Sequence, residues 1–128
     1  MRKVITTPEK MVEKDGKINF GTFRTPFRNV NILDVPLYPS SKVPAFWKKF
    51  RLKEWQHYGI ITPSHYFGMV VFDAKFMGVS FFYAYDRNEN TRFEHSMQSP
   101  GGASVVAGQV YDDYCEFKSK GYFLRFEN

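Results

Sequence analysis

The sequence predicts a mostly β fold: an antiparallel meander, open as a half-barrel or closed as a barrel, with an irregular N-terminal arm and one short helix. Three observations predict it. Residues 53–94, KEWQHYGIITPSHYFGMVVFDAKFMGVSFFYAYDRNENTRFE, read as four strands separated by short polar turns. Aromatic residues make up 19% of the chain, including 14 Phe and 8 Tyr, types suited to a pleated, half-buried surface. The connections are too short for parallel pairing, which needs a crossover of about a dozen residues or more. Two of the strands, SHYFGMVVFDA and MGVSFFYAY, are apolar on both alternating sets, whereas a sheet with one wet face alternates. They ask for cover on both faces, from a filled interior, an apolar ligand or a further part of the protein.

The elements follow in order. Residues 1–45 form an arm punctuated by Pro8, Gly16, Gly21, Pro26, Pro36, Pro39 and Pro44, in which prolines deny a long ladder. Within it Asp15-Gly16 supplies a tight turn, and Val4–Thr6 and Lys17–Phe20 are candidates to pair as short strands. From Pro44, AFWKKFRL has helical character, with Phe46 and Phe50 at i and i+4. The meander then runs through Glu54–Thr62, Tyr66–Phe72, Met77–Tyr85 and Arg92–Gln98, with Tyr66–Phe72 and Val79–Tyr85 expected at the buried centre. Arg92–Gln98 alternates like a strand with one face in water. Val110–Phe117 and Tyr122–Phe126 complete the set around Lys118-Ser119-Lys120-Gly121. One domain is expected over residues 1–128, with the arm at 1–45 and the meander at 46–128, as the N-terminal part of a longer protein or a short chain of its own.

Bulk chemistry narrows the function classes. The charge of +5 is the excess of 18 Lys and Arg over 13 Asp and Glu, and the cations are spread along the chain, which reads as a solvated basic surface. Cys115 is alone, so no internal disulfide forms, which fits a reducing compartment. The opening MRKVITTPEKMVEKDGK has no apolar core of a secretory leader, and no run approaches the roughly 18 apolar residues of a membrane helix. A cytoplasmic location is the expectation. There is no nucleophile elbow, phosphate loop or dinucleotide fingerprint, and no cofactor is expected. His57, His65 and His95 lack metal-finger spacing, so no metal is expected. The cluster FWKKFRLKEW interleaves rings and cations as single-stranded nucleic acid requires, but it serves equally as an amphipathic cover, and nucleic acid is not favoured.

Asp73 is in phase with Phe67, Met69 and Val71, so its strand can aim it inward, although it also closes a hairpin, where Asp serves backbone bonds. Arg24, Asn29 and Asn31 alternate with Phe23, Phe27 and Ile32, either satisfying loop backbone or lining a pocket mouth. Arg24 is expected to tie the arm to the sheet through a carboxylate or carbonyls, because a guanidinium is not buried unpaired. Arg24, Asn29, Asn31, Trp55, Asp73 and Tyr83 are the candidate ligand-binding residues; catalytic residues are not assigned.

The stretches ITTPEKMVEKDGKINFGTFRTPFRNVNI and WKKFRLKEWQHYGIITPSHYFGMVVFDAKFMGVSFFYAYD resemble the N-terminal half of a family catalogued only as a domain of unknown function. The matching positions are Ile5, Thr6, Pro8, Gly16, Gly21, Arg24, Pro26, Asn29, Asn31, Lys53, Trp55, Asp73 and Gly78. The chain departs from the pattern in the insert DVPLYPSSKVP and in Phe72-Asp73-Ala74-Lys75, where relatives tend to place an aromatic after the Asp. That family is distantly similar to the two-part lipocalin-like fold of hydroxyneurosporene synthase-type carotenoid hydratases. The resemblance implies a lipocalin-like β-barrel domain and an apolar ligand, and carries no catalytic residues. The expected function is therefore a module binding an apolar or amphipathic small molecule. The alternatives are a hydratase or isomerase acting on an unsaturated lipid with Asp73 as acid, and an interaction or structural domain. Tyr122–Phe126, with rings on both parities, is expected at a sheet edge open to homodimer formation.

Overall fold

The computed structural model describes residues 3–36 and 43–127. Pro39 and most of the insert DVPLYPSSKVP lie outside those residues. Strands β1 (Val4–Ile5) and β2 (Thr22–Phe23) pair in parallel within the arm, and helix α1 (Ala45–Arg51) follows it. Strands β3 (Glu54–Ile61), β4 (His65–Asp73), β5 (Met77–Asp86) and β6 (Thr91–Pro100) form an antiparallel sheet in chain order. A second antiparallel sheet contains β7 (Ser104–Val105), β8 (Tyr114–Ser119) and β9 (Tyr122–Glu127). The fold is thus mostly β and antiparallel. The four-stranded sheet does not close into a barrel.

Strand parity decides what each face of the large sheet meets. One face carries Tyr58, Met69, Val71, Ser80 and Met97, and the second sheet packs on it. Val71, Cys115 and Phe117 are fully buried there, joined by Phe126 and flanked by Tyr122 and Leu124. Burying a ring such as Phe117 contributes roughly 1.5–3 kcal/mol. The two polar groups buried at this contact are both satisfied. Ser80 Oγ lies 3.4 Å from the Tyr122 hydroxyl, and Ser104 Oγ donates to the Phe72 carbonyl at 2.8 Å.

β4 and β5 are central, as their composition predicts, and they hold the buried Gly68, Val70, Val71, Gly78 and Ser80. Three expectations are corrected. β6 is wet on more than one face: Phe93 and His95 are exposed, His95 despite its ring contact with Tyr122 at 5.0 Å, because the core formed with the second sheet takes in Met97 but not Phe93. The strand expected over Val110–Phe117 begins at Tyr114, since Asp113 instead gathers the N–H groups of Gly108, Gln109 and Tyr114 into a loop. In the arm, Val4–Ile5 pair with Thr22–Phe23, not with Lys17–Phe20, where the Asp15-Gly16 turn leaves only the Val12–Ile18 bridge.

The arm is held by side chains that imitate backbone. The Asn31 amide accepts from the Val12 N–H at 3.0 Å and donates to the Val12 carbonyl at 2.9 Å, as a neighbouring strand would. The Val12 side chain is buried. Lys48 of α1 donates to the carbonyls of Leu33 and Val35, joining helix to arm. Arg24 does not perform the expected tie. Phe23 and Phe27 pack edge to face on each other at 4.8 Å, which leaves Arg24 exposed, without a partner among the described residues. A solvated guanidinium avoids the desolvation cost that the tie would have offset. Among the described residues no helix is long and apolar enough to cross a membrane.

Candidate functional site

The other face of the large sheet is the chemically unusual surface. The register aligns Trp55, Phe72 and Val79 in one cross-strand row, His57, Val70 and Phe81 in the next, and Gly59, Gly68 and Tyr83 in a third. Trp55, Val70, Phe72, Val79 and Phe81 of the first two rows line an open groove of about 330 Å³. This volume is near the lower limit of small-molecule sites, which span roughly 300–1,000 Å³. Val70 forms the floor at 4% exposure, while Trp55 at the rim is 65% exposed. Among the described residues, the rings of Trp55, Phe72 and Phe81 flank the floor.

Next to the apolar rows, three polar side chains from three strands converge. The Tyr83 hydroxyl lies 3.2 Å from His57 Nε2 and 3.3 Å from the Tyr66 hydroxyl. Paired glycines make this possible. Gly59 and Gly68 face each other across β3 and β4, and a Cβ on Gly68 would fall 2.1 Å from the Tyr83 ring. A Cβ on Gly59 would stand 3.1 Å from the Tyr66 hydroxyl. The missing side chains leave a shallow bed in which Tyr83 lies across the sheet, parallel to the His57 ring. Hydrogen bonding to Tyr66, together with burial, holds the Tyr83 hydroxyl above its ordinary pKa, so it is a neutral phenol at physiological pH. The charged side chains on this face of the four strands, Arg92 and Glu94, pair with each other at 3.1 Å.

The candidate residues separate. Trp55 and Tyr83 are brought to this face. Asp73 belongs to the opposite parity and serves the β4–β5 turn, where its carboxylate accepts from the Lys75 N–H and from Lys75 Nζ, both at 2.7 Å. Lys75 has a φ of 76°, a left-handed conformation unusual for a side-chain-bearing residue, and Glu54 holds its ammonium from β3. Asn31 pins Val12, while Asn29 and Arg24 are exposed on the arm. The sequence by itself does not mark His57, Tyr66, Val70, Phe72, Val79 and Phe81 as site residues. Pairing the doubly apolar strands with the two glycines in register would have pointed to them.

The other histidines and the cysteine are engaged structurally. His65 is engaged by Ser64 and Asp86, and His95 by Tyr122. Burial raises the Cys115 thiol pKa and keeps it unreactive. In FWKKFRLKEW, Trp47 stacks on Phe50 and Lys53 lies over Phe50 and Phe76 while donating to the Ala74 carbonyl, and Phe46 and Trp55 stay exposed. A family model described as Domain of unknown function (DUF2804) matches residues 2–128, and the chain belongs to that family. No curated protein and no solved structure matches it.

Proposed function

We propose that this member of the DUF2804 family is a lipocalin-like binding module that holds an apolar or amphipathic small molecule on the open face of its four-stranded sheet. The observation that carries the reading is the Trp55–Val70–Phe72–Val79–Phe81 groove with convergent polar groups beside it. Apolar surface with a few placed polar groups is what small-molecule sites present. Covering it removes apolar area from water at about 25 cal/mol per Å². A hydratase or isomerase reading depended on Asp73, which points away from this face and is engaged by Lys75, so binding is favoured over catalysis. The reduced, buried Cys115 supports a cytoplasmic setting. The β9 edge, unpaired on its outer side among the described residues, supports a homodimer formed by strand addition at Tyr122–Glu127.

Trp55 supplies the test. In a Trp47→Phe background it is the sole tryptophan, and titration with decyl methyl ether should shift its emission to the blue. Phe81→Ala should weaken that response. No emission change up to the solubility limit of the ether would remove the binding reading. Native mass spectrometry of protein from its own cells would then name the resident molecule.

A further inference from the structure

We propose that the His57–Tyr83–Tyr66 chain is the polar anchor of this groove and that it selects a neutral apolar alcohol. The inference rests on the apolar-binding reading and adds the head group that the ligand must carry.

The first argument is placement. His57 stands in the same cross-strand row as Val70 and Phe81, so the hydrogen-bonding chain begins beside the apolar floor. Its middle member reaches His57 only because Gly68 gives up the space of a side chain to the Tyr83 ring. The second is hydrogen-bond arithmetic. A phenol has one proton to give and two lone pairs, and a neutral imidazole has one nitrogen of each kind. If Tyr83 donates to His57, Tyr66 donates to Tyr83, and the chain ends in unused lone pairs on Tyr66. If His57 donates to Tyr83, Tyr83 donates to Tyr66, and the chain ends in an unused Tyr66 proton. A hydroxyl, which both donates and accepts, completes either arrangement. At the Tyr66 end of the chain an ether or ketone completes only the second.

The third argument is charge. The charged side chains that the four strands place on this face, Arg92 and Glu94, neutralise each other, so among the described strand residues no unpaired cation there awaits a carboxylate or phosphate. Drawing an anion onto an apolar floor without a partner costs far more than drawing in a hydroxyl. The anchored molecule is therefore uncharged, with an apolar body along Val70, Phe72 and Phe81 and its hydroxyl at Tyr66.

Three probes of equal chain length separate the possibilities: decanol, decyl methyl ether and decanoate, each titrated against Trp55 emission in the Trp47→Phe protein at neutral pH. Decanol should bind about fivefold tighter than the ether, the equivalent of ~1 kcal/mol for one neutral hydrogen bond. Decanoate should bind more weakly than decanol. Tyr66→Phe should make decanol and the ether bind alike, and His57→Leu, at an exposed position that does not challenge folding, should shrink the same ratio. Equal affinities for decanol and ether in the unmutated face, or tighter binding of decanoate, would overturn the anchor while leaving the groove intact. A preference for decanol that survives Tyr66→Phe would do the same. If neither decanol nor the ether binds, the apolar-binding reading falls, and the anchor with it.

Discussion

Replacing Gly68 by alanine tests whether two glycines built the polar corner of the sheet face. The new Cβ would lie 2.1 Å from Tyr83 Cζ and 2.4 Å from its hydroxyl oxygen, well inside contact distance. The backbone of β4 is paired on both sides, so the ring moves and the strand does not. Once displaced, Tyr83 leaves both His57 and Tyr66. Each neutral hydrogen bond contributes about 0.5–1.5 kcal/mol, and partial exposure places these two at the lower end. Ring contacts with Tyr66 at 5.6 Å and His57 at 6.3 Å are lost as well. An aromatic pair of that kind is worth roughly 0.5–1.5 kcal/mol. Against this loss of about 2–3 kcal/mol, exchanging glycine for alanine in a strand returns ~0.5–1 kcal/mol through the unfolded chain. The net cost is about 1–2 kcal/mol, which lowers Tm by roughly 3–8 °C in a chain of this size.

Urea unfolding followed by circular dichroism measures this in four proteins: the unmutated chain, Gly68→Ala, Tyr83→Ala and the double variant. With the ring removed, alanine at 68 has nothing to displace, and its cost should vanish or reverse. The coupling in this cycle should fall at about 1–3 kcal/mol, within the roughly 0.5–3 kcal/mol usual for residues in direct contact. If Gly68→Ala is neutral in the unmutated chain, or equally costly with Tyr83→Ala, the glycine bed does not position the tyrosine.

Two further outcomes are expected. Burial by itself lowers the Lys75 pKa, but hydrogen bonds and charges from Asp73 and Glu54 outweigh it and hold the ammonium above its ordinary value of 10.5. A raised folded-state pKa means stability that is complete below pH 10.5 and lost as pH climbs beyond it, so the stability gap between the unmutated chain and Lys75→Met should narrow only in that alkaline window; a gap indifferent to alkaline pH would count against the bridge. At the β9 edge, sedimentation velocity should detect a concentration-dependent dimer that Phe123→Lys dissolves, because a charge on an edge strand discourages strand addition; a monomer persisting into the high micromolar range would dismiss the pairing.

What the residues determine by themselves is whatever depends on near neighbours along the chain. Period-two apolarity and short polar turns specify the strands and their antiparallel order. Asp15-Gly16 and Asp73 declare their turns through local backbone hydrogen bonds. The double apolarity of SHYFGMVVFDA and MGVSFFYAY correctly marks the sheet centre, but not what lies above each face. Tertiary packing decides that. Val71 and its row meet Phe117 across the sandwich, while Val70 and its row are left as an open groove. The same holds for the polar corner. Gly59 and Gly68 are nine positions apart and unremarkable alone, and Tyr83 is fifteen beyond Gly68. Only the strand register sets the two glycines opposite each other and lays Tyr83 over the gap. Arg24 shows the converse, because flanking rings suggested burial, yet Phe23 and Phe27 found each other and left the charge in water. Secondary structure follows from local torsional and hydrophobic preferences, whereas a site assembled from separate strands depends on register, a property of pairs that no single stretch of the chain contains.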